Sequence, residues 1–205
     1  MSTNRLEAFS DGVFAIAITL LVLDIHVPDP GATAELGAEL GAQWPSYVAY
    51  AVSFLTIGII WINHHAMLGR LKATDHGILV LNLILLLFVG LLPFTTALMA
   101  AYLKEGQGDK LAAAIYGGSF LSMGIAFASL NRHILFRKAH LMVEPMDEPR
   151  RRSILARGVA GLVPYLLATI LAIVSPYVTL VICGAVAVFY ALPVASASES
   201  RVAPS

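Results

Sequence analysis

Residues 77–103, GILVLNLILLLFVGLLPFTTALMAAYL, run for 27 positions without an Asp, Glu, Lys or Arg. A helix rises 1.5 Å per residue, so about 20 apolar residues cross the roughly 30 Å hydrocarbon layer of a bilayer. This stretch therefore predicts a membrane span. Five further stretches of the same kind occupy about 6–27, 46–68, 111–136, 158–174 and 177–193. Together they predict an all-α membrane protein with six transmembrane helices in one domain covering residues 1–205. The composition agrees: 58% hydrophobic and 13% charged residues leave too little polar surface to cover a water-facing fold. A chain this short has no means of burying every helix on all sides in one core. A membrane β-barrel would show alternating segments of about ten residues instead of continuous apolar runs.

The basic residues orient the bundle, because cytoplasmic loops carry the excess of Lys and Arg. With the N-terminus inside, Arg5, Arg70, Lys72, Arg132, Arg137, Lys138, Arg150, Arg151, Arg152, Arg157 and Arg201 fall on the inner side. Only Lys104 and Lys110 fall outside, and the connection 28–45 carries Asp29, Glu35 and Glu39 with no basic residue. Six spans return the C-terminus to the cytoplasm. The first run is read as a retained helix, since Asp11 interrupts it early and no small-residue cleavage site follows. Pro93 and Pro164 are expected to kink their spans. Ser175 and Pro176 join the last two in a tight hairpin, and 137–157 reads as the main hydrophilic loop. Cys183 is the only cysteine, which excludes an intrachain disulfide.

Polar groups at membrane depth are costly and therefore informative. The first span opens Arg5-Leu6-Glu7-Ala8-Phe9-Ser10-Asp11, with Asn4 and Glu7 spaced as an N-cap pair. At about 100° per residue, Asp11 points away from the stripe of Ile16, Leu20 and Leu23, while Leu21, off that stripe, is expected to face lipid. The second span runs in the opposite sense and carries Trp61, Asn63, His64 and His65 near its inner end, at the depth of Asp11. A buried network of Asp11, Ser10, Trp61 and one of the two histidines follows from that match. Adjacent histidines point about 100° apart, so the pair is not an i, i+4 metal site, and no resident metal is expected. No P-loop, Gly-x-Ser-x-Gly, His-Glu-x-x-His or dinucleotide fingerprint is present, so the chain is not expected to be an enzyme. Zero net charge and the lack of a basic patch interleaved with aromatics argue against nucleic acid as a partner. The Thr-Val-Gly-Tyr-Gly filter of ordinary potassium channels is also missing.

The motif Arg5-x-x-x-Phe9-Ser10-Asp11, with Trp61-Ile62-Asn63-His64-His65 closing the second span, resembles the transmembrane-protein-175 family of potassium channels. In that family, prokaryotic chains have six spans and assemble as tetramers, whereas animal endolysosomal chains fuse two such units and pair. For this chain the resemblance implies a homotetramer with four copies of the first helix around a central pore. Ile16, Leu20 and Leu23 would form hydrophobic constriction layers, and Thr19 would be a polar pore-facing position. Asp24 would stand at the outer mouth. Arg5, Phe9, Ser10, Asp11, Trp61, Asn63, His64 and His65 would hold the first helix in place. The implied function is passive conduction of K+ in the plasma membrane of a prokaryote, with the bilayer, K+ and further copies of the chain as partners and no cofactor. The alternative left by the residues alone is a proton-coupled secondary transporter using Asp11 and His64 or His65.

Overall fold

The computed structural model describes residues 3–29 and 35–192, so Arg201 and the last residue of the sixth predicted span lie outside the described residues. Helix α1 spans Thr3–Leu20 and tightens into a 3-10 turn at Leu21–Asp24. The short α2 (Leu36–Ala42) precedes the long α3 (Trp44–Leu68) and α4 (His76–Tyr102). Next, α5 (Asp109–Arg132) runs into a π-helical turn at His133–Arg137, and α6 (Glu148–Ala160), α7 (Leu162–Leu171) and α8 (Pro176–Ala191) complete the chain. Among the described residues there is no β-strand beyond one isolated bridge, Leu71 to Met142.

Among the described residues, five helical stretches are long and apolar enough to cross a membrane: Thr3–Asp24, Trp44–Leu68, His76–Tyr102, Asp109–Arg137 and Glu148–Leu171. The sixth expected span, 177–193, falls on α8, an apolar helix of 16 residues that is shorter than these five. The fold is thus the expected all-α membrane architecture, with two boundaries redrawn. Residues 148–157, expected as loop, form most of α6, which is opened by Pro149 in its first turn and braced by the i, i+4 ion pair of Glu148 with Arg152. None of its residues is buried, and the chain breaks at Gly161, three residues before Pro164. Asn4 does not cap α1, because the helix already includes Thr3.

Helix α4 forms the centre of the bundle and packs on α1, α3 and α5, while α7 and α8 close the far side. Asp75 caps α4 by accepting from the Ile78 N–H at 3.0 Å, and its other oxygen meets Lys138 Nζ at 2.6 Å. At this end the Lys72 N–H donates to Leu141 O and the Val143 N–H to Arg70 O, so the α3–α4 and α5–α6 connections are tied together. At the other end the Gln43 side chain bonds both the N–H and the C=O of His26 at 2.9 Å. There, too, Lys104 caps Ala42 O, and Trp44 stacks on Tyr177. Gly117 lets α5 approach the backbone of α7: a Cβ there would lie 3.3 Å from Thr169 Cα. Leu21, expected to face lipid, is fully buried. It lies four residues past Ala17 and seven past Phe14, so at about 100° per residue it continues the buried face of α1, opposite the stripe.

Candidate functional site

Helix α1 divides into two faces. Leu6, Ser10, Phe14, Ala17 and Leu21 recur at i, i+4, i+7 spacing and are buried against the rest of the chain. On the other side Phe9, Ile16, Leu20 and Leu23 are 54%, 60%, 43% and 69% exposed. Thr19 is exposed on this same side. Its hydroxyl donates within the helix, to Ala15 O at 3.0 Å or Ile16 O at 2.9 Å, which satisfies the proton and leaves oxygen lone pairs outward. One chain therefore offers an apolar stripe with one hydroxyl, left exposed among the described residues.

Behind the stripe, two polar contacts fix α1. The Ser10 hydroxyl donates to Leu6 O at 2.8 Å, so its oxygen accepts from the Asn82 amide at 3.0 Å. That turns the Asn82 carbonyl toward His64 Nε2, 2.7 Å away, and assigns the imidazole proton to Nε2. Ser10, Asn82 and His64 are all buried, and the His64 ring lies against Phe14 with centroids 5.3 Å apart. The chain of bonds ties α1, α4 and α3 together and leaves no buried donor stranded at that point. The second contact is separate: the Trp61 indole N–H donates to Asp11 Oδ1 at 2.8 Å, joining α1 to α3.

This arrangement corrects the expected single cluster. Ser10 and Asp11 are neighbours about 100° apart on the helix, so they reach different partners. Among the described residues no histidine hydrogen-bonds Asp11. His65 is exposed, its ring 6.2 Å from that of Trp61, and Asn63 is exposed and donates to Ile59 O of its own helix. Arg5 is exposed with no ion pair among the described residues. Asp24 is half-buried at the far end of the 3-10 turn.

Sequence reasoning missed Asn82. Its signal was present: an amide amid eleven apolar neighbours, Ile78–Leu81 and Leu83–Val89, is as costly in a bilayer as the residues that were noticed. A second missed group lies in the bundle, where the Ser53 hydroxyl bonds both Thr96 (2.8 Å) and Tyr116 (3.0 Å), while Thr95 pairs with Ser119 at 3.0 Å. These hydroxyls lie inside one chain and join α3, α4 and α5. Among the described residues, no group of three or more His, Cys, Asp or Glu side chains is placed to hold a metal ion.

The family model described as endosomal/lysosomal potassium channel TMEM175 matches residues 5–93, which include both motifs and Asn82. A potassium channel of Streptomyces collinus is 45% identical over 188 residues, spanning 92% of this chain and 91% of the relative. A potassium channel of Chamaesiphon minutus is 39% identical over 192 residues, with 93% and 94% covered. Among solved structures, the lysosomal potassium-selective channel TMEM175 homologue from Chamaesiphon minutus is similar, with a TM-score of 0.82 at 38% identity over 92% of this chain and 96% of that one.

Proposed function

The chain belongs to the TMEM175 family, whose bacterial relatives are named potassium channels and not enzymes, and on that premise we propose that it conducts K+ passively through a homotetrameric pore lined by α1. The observation that carries the proposal is the uncovered stripe of Ile16, Leu20 and Leu23, opposite the polar contacts that anchor the same helix. One chain holds one such stripe, so a pore requires several copies around an axis. The N-terminus and the basic end of the bundle then face the cytoplasm, and the protein resides in the prokaryotic plasma membrane.

Four copies of each stripe residue make a narrow apolar tube. Such a tube offers no ligands to replace hydration water, so an entering ion sheds part of its shell, and the path closes by dewetting. Potassium holds its water less tightly than sodium and crosses at lower cost. The 3-10 turn sharpens this barrier, because residues three apart eclipse in that geometry and Leu23 falls in line with Leu20. The outward lone pairs of Thr19 sit about 60° from Ile16 and offset part of the lost hydration. Asp24 raises the local cation concentration at the outer mouth.

The transporter reading requires Asp11 and His64 or His65 to share a proton path. Asp11 and His64 belong to two separate hydrogen-bonded groups, and His65, its ring 6.2 Å from that of Trp61, makes no hydrogen bond to Asp11 among the described residues, which favours an anchoring role instead.

The test is a bi-ionic reversal-potential measurement on reconstituted protein. Ile16→Asn should raise current and bring sodium permeability toward that of potassium; Leu20→Ala and Leu23→Ala should widen the tube with smaller effects in the same direction. Leu87→Ala, exposed on α4, is the control. Stripe variants indistinguishable from Leu87→Ala in current and reversal potential would overturn the mechanism.

A further inference from the structure

At the basic end of the bundle, a cavity of about 280 Å³ lies between the α3–α4 connection, residues 142–146 and the first turns of α6. Its walls are held in place by the Val143 N–H to Arg70 O bond, the Lys72 N–H to Leu141 O bond and the Leu71–Met142 bridge. Two guanidinium-bearing side chains line it, Arg70 and Arg150. Neither is ion-paired among the described residues. This is selective: of the three consecutive arginines, Arg151 donates to Leu135 O and lies over the Phe136 ring, and Arg152 pairs with Glu148. Arg150 alone is left over, and it lines the same cavity as Arg70. The positive-inside tendency explains a basic loop. It does not explain two unpaired arginines brought from positions 80 residues apart in sequence to one half-open cavity.

We propose that this cavity binds a phosphate group between Arg70 and Arg150. Guanidinium forks match phosphate oxygens in charge and geometry. The depth is that of the headgroup layer, since Arg70 lies two residues beyond the last residue of α3, itself long enough to span the membrane. The remaining lining includes Met142, Val143 and Met146, an apolar border suited to the glycerol and upper acyl portion of a phospholipid. Glu144 also lines the cavity and opposes the anion, leaving a net charge of +1 on the lining side chains.

The experiment counts lipids retained on purified protein by native mass spectrometry, with phosphatidylglycerol or phosphatidylcholine added in equal amounts, and measures inorganic phosphate binding by calorimetry. Phosphatidylglycerol should be preferred. Arg70→Gln and Arg150→Gln should each weaken its binding about five-fold and together about thirty-fold, at the usual worth of one basic side chain near an anionic surface. Glu144→Gln should strengthen it by a similar factor, a gain that misfolding does not imitate. Arg157→Gln removes the same charge elsewhere on α6 and should change nothing. Phosphate binding without lipid preference, lost in the same two variants, would support the site with a soluble ligand. Equal weakening by Arg157→Gln, or no binding of either probe, would overturn it. No current is read, so the result stands apart from that of the pore experiment.

Discussion

Replacing Asn82 by Leu removes the amide that joins α1 to α3 through α4. Two interhelical hydrogen bonds disappear, 2.7 Å to His64 Nε2 and 3.0 Å to Ser10 Oγ. Bonds of this kind in membrane bundles are worth about 0.6 kcal/mol on average and up to about 1.7, so the pair contributes roughly 1 to 3.5 kcal/mol. At about 2–4 °C per kcal/mol for a chain of this size, the melting temperature should fall by about 2 to 14 °C. Most of the loss comes from the His64 N–H, which is buried and finds no other acceptor. Adding His64→Phe to Asn82→Leu removes that stranded donor and keeps a ring beside Phe14. The double variant should therefore be more stable than the sum of the two single losses by at least about 0.5 kcal/mol. The assay is reversible unfolding in mixed micelles across the four proteins of the cycle. Additivity within about 0.3 kcal/mol would show that His64 and Asn82 are not coupled and would refute the assigned network.

Asp11→Asn keeps an acceptor for the Trp61 indole and should preserve oligomer yield, whereas Asp11→Ala strands that N–H at a cost of about 1–3 kcal/mol and should reduce it, as size-exclusion profiles will report. Gly117→Ala pushes against the α7 backbone and should lower stability by about 1 kcal/mol, while Gly118→Ala, whose Cβ would meet only Thr169 Cγ2 at 3.8 Å, should be neutral or slightly stabilising; melts of the two variants side by side decide this. The hydrogen bond and charge of Lys138, with the Ile78 N–H, hold the Asp75 carboxyl below the usual carboxylate range. Its folded pKa is depressed, so its stabilisation is present above about pH 4 and is lost as pH falls through the lower folded value. Asp75→Asn, which keeps a cap oxygen but not the ion pair, should thus be less stable than wild type at pH 7 and should match it in acid. A deficit that persists unchanged in acid would remove the Lys138 pair from the account.

The spans were legible because bilayer thickness imposes a length that apolar runs must meet, and 77–103 alone nearly states the fold. The Asp11–Trp61 contact was legible for a related reason: antiparallel spans place opposite ends of two sequences at one depth. Depth carries no azimuth, however. It put Ser10, Asp11 and both histidines in one layer without saying that Ser10 turns toward α4 and Asp11 toward α3. Leu21 was misplaced because the side of α1 away from the stripe was assigned to lipid, whereas that side, with Phe14 and Ala17, packs into the bundle. Residues 148–157 read as loop because their apolar content is low. Their helix is sustained by a proline start and charge spacing, without burial.

The adjacent residues Ser10 and Asp11 act as two bolts set at different angles through the same rod. Turning α1 about its long axis would shear both at once, the amide bridge to α4 and the indole bridge to α3. Sliding it by a full helical turn would do the same. The helix that carries the stripe is therefore locked in azimuth and in register. In the proposed pore, the freedom left would lie in the rotamers of the stripe side chains and in tilting each subunit as a rigid block, which would place opening and closing in the packing between subunits and not in a twist within one.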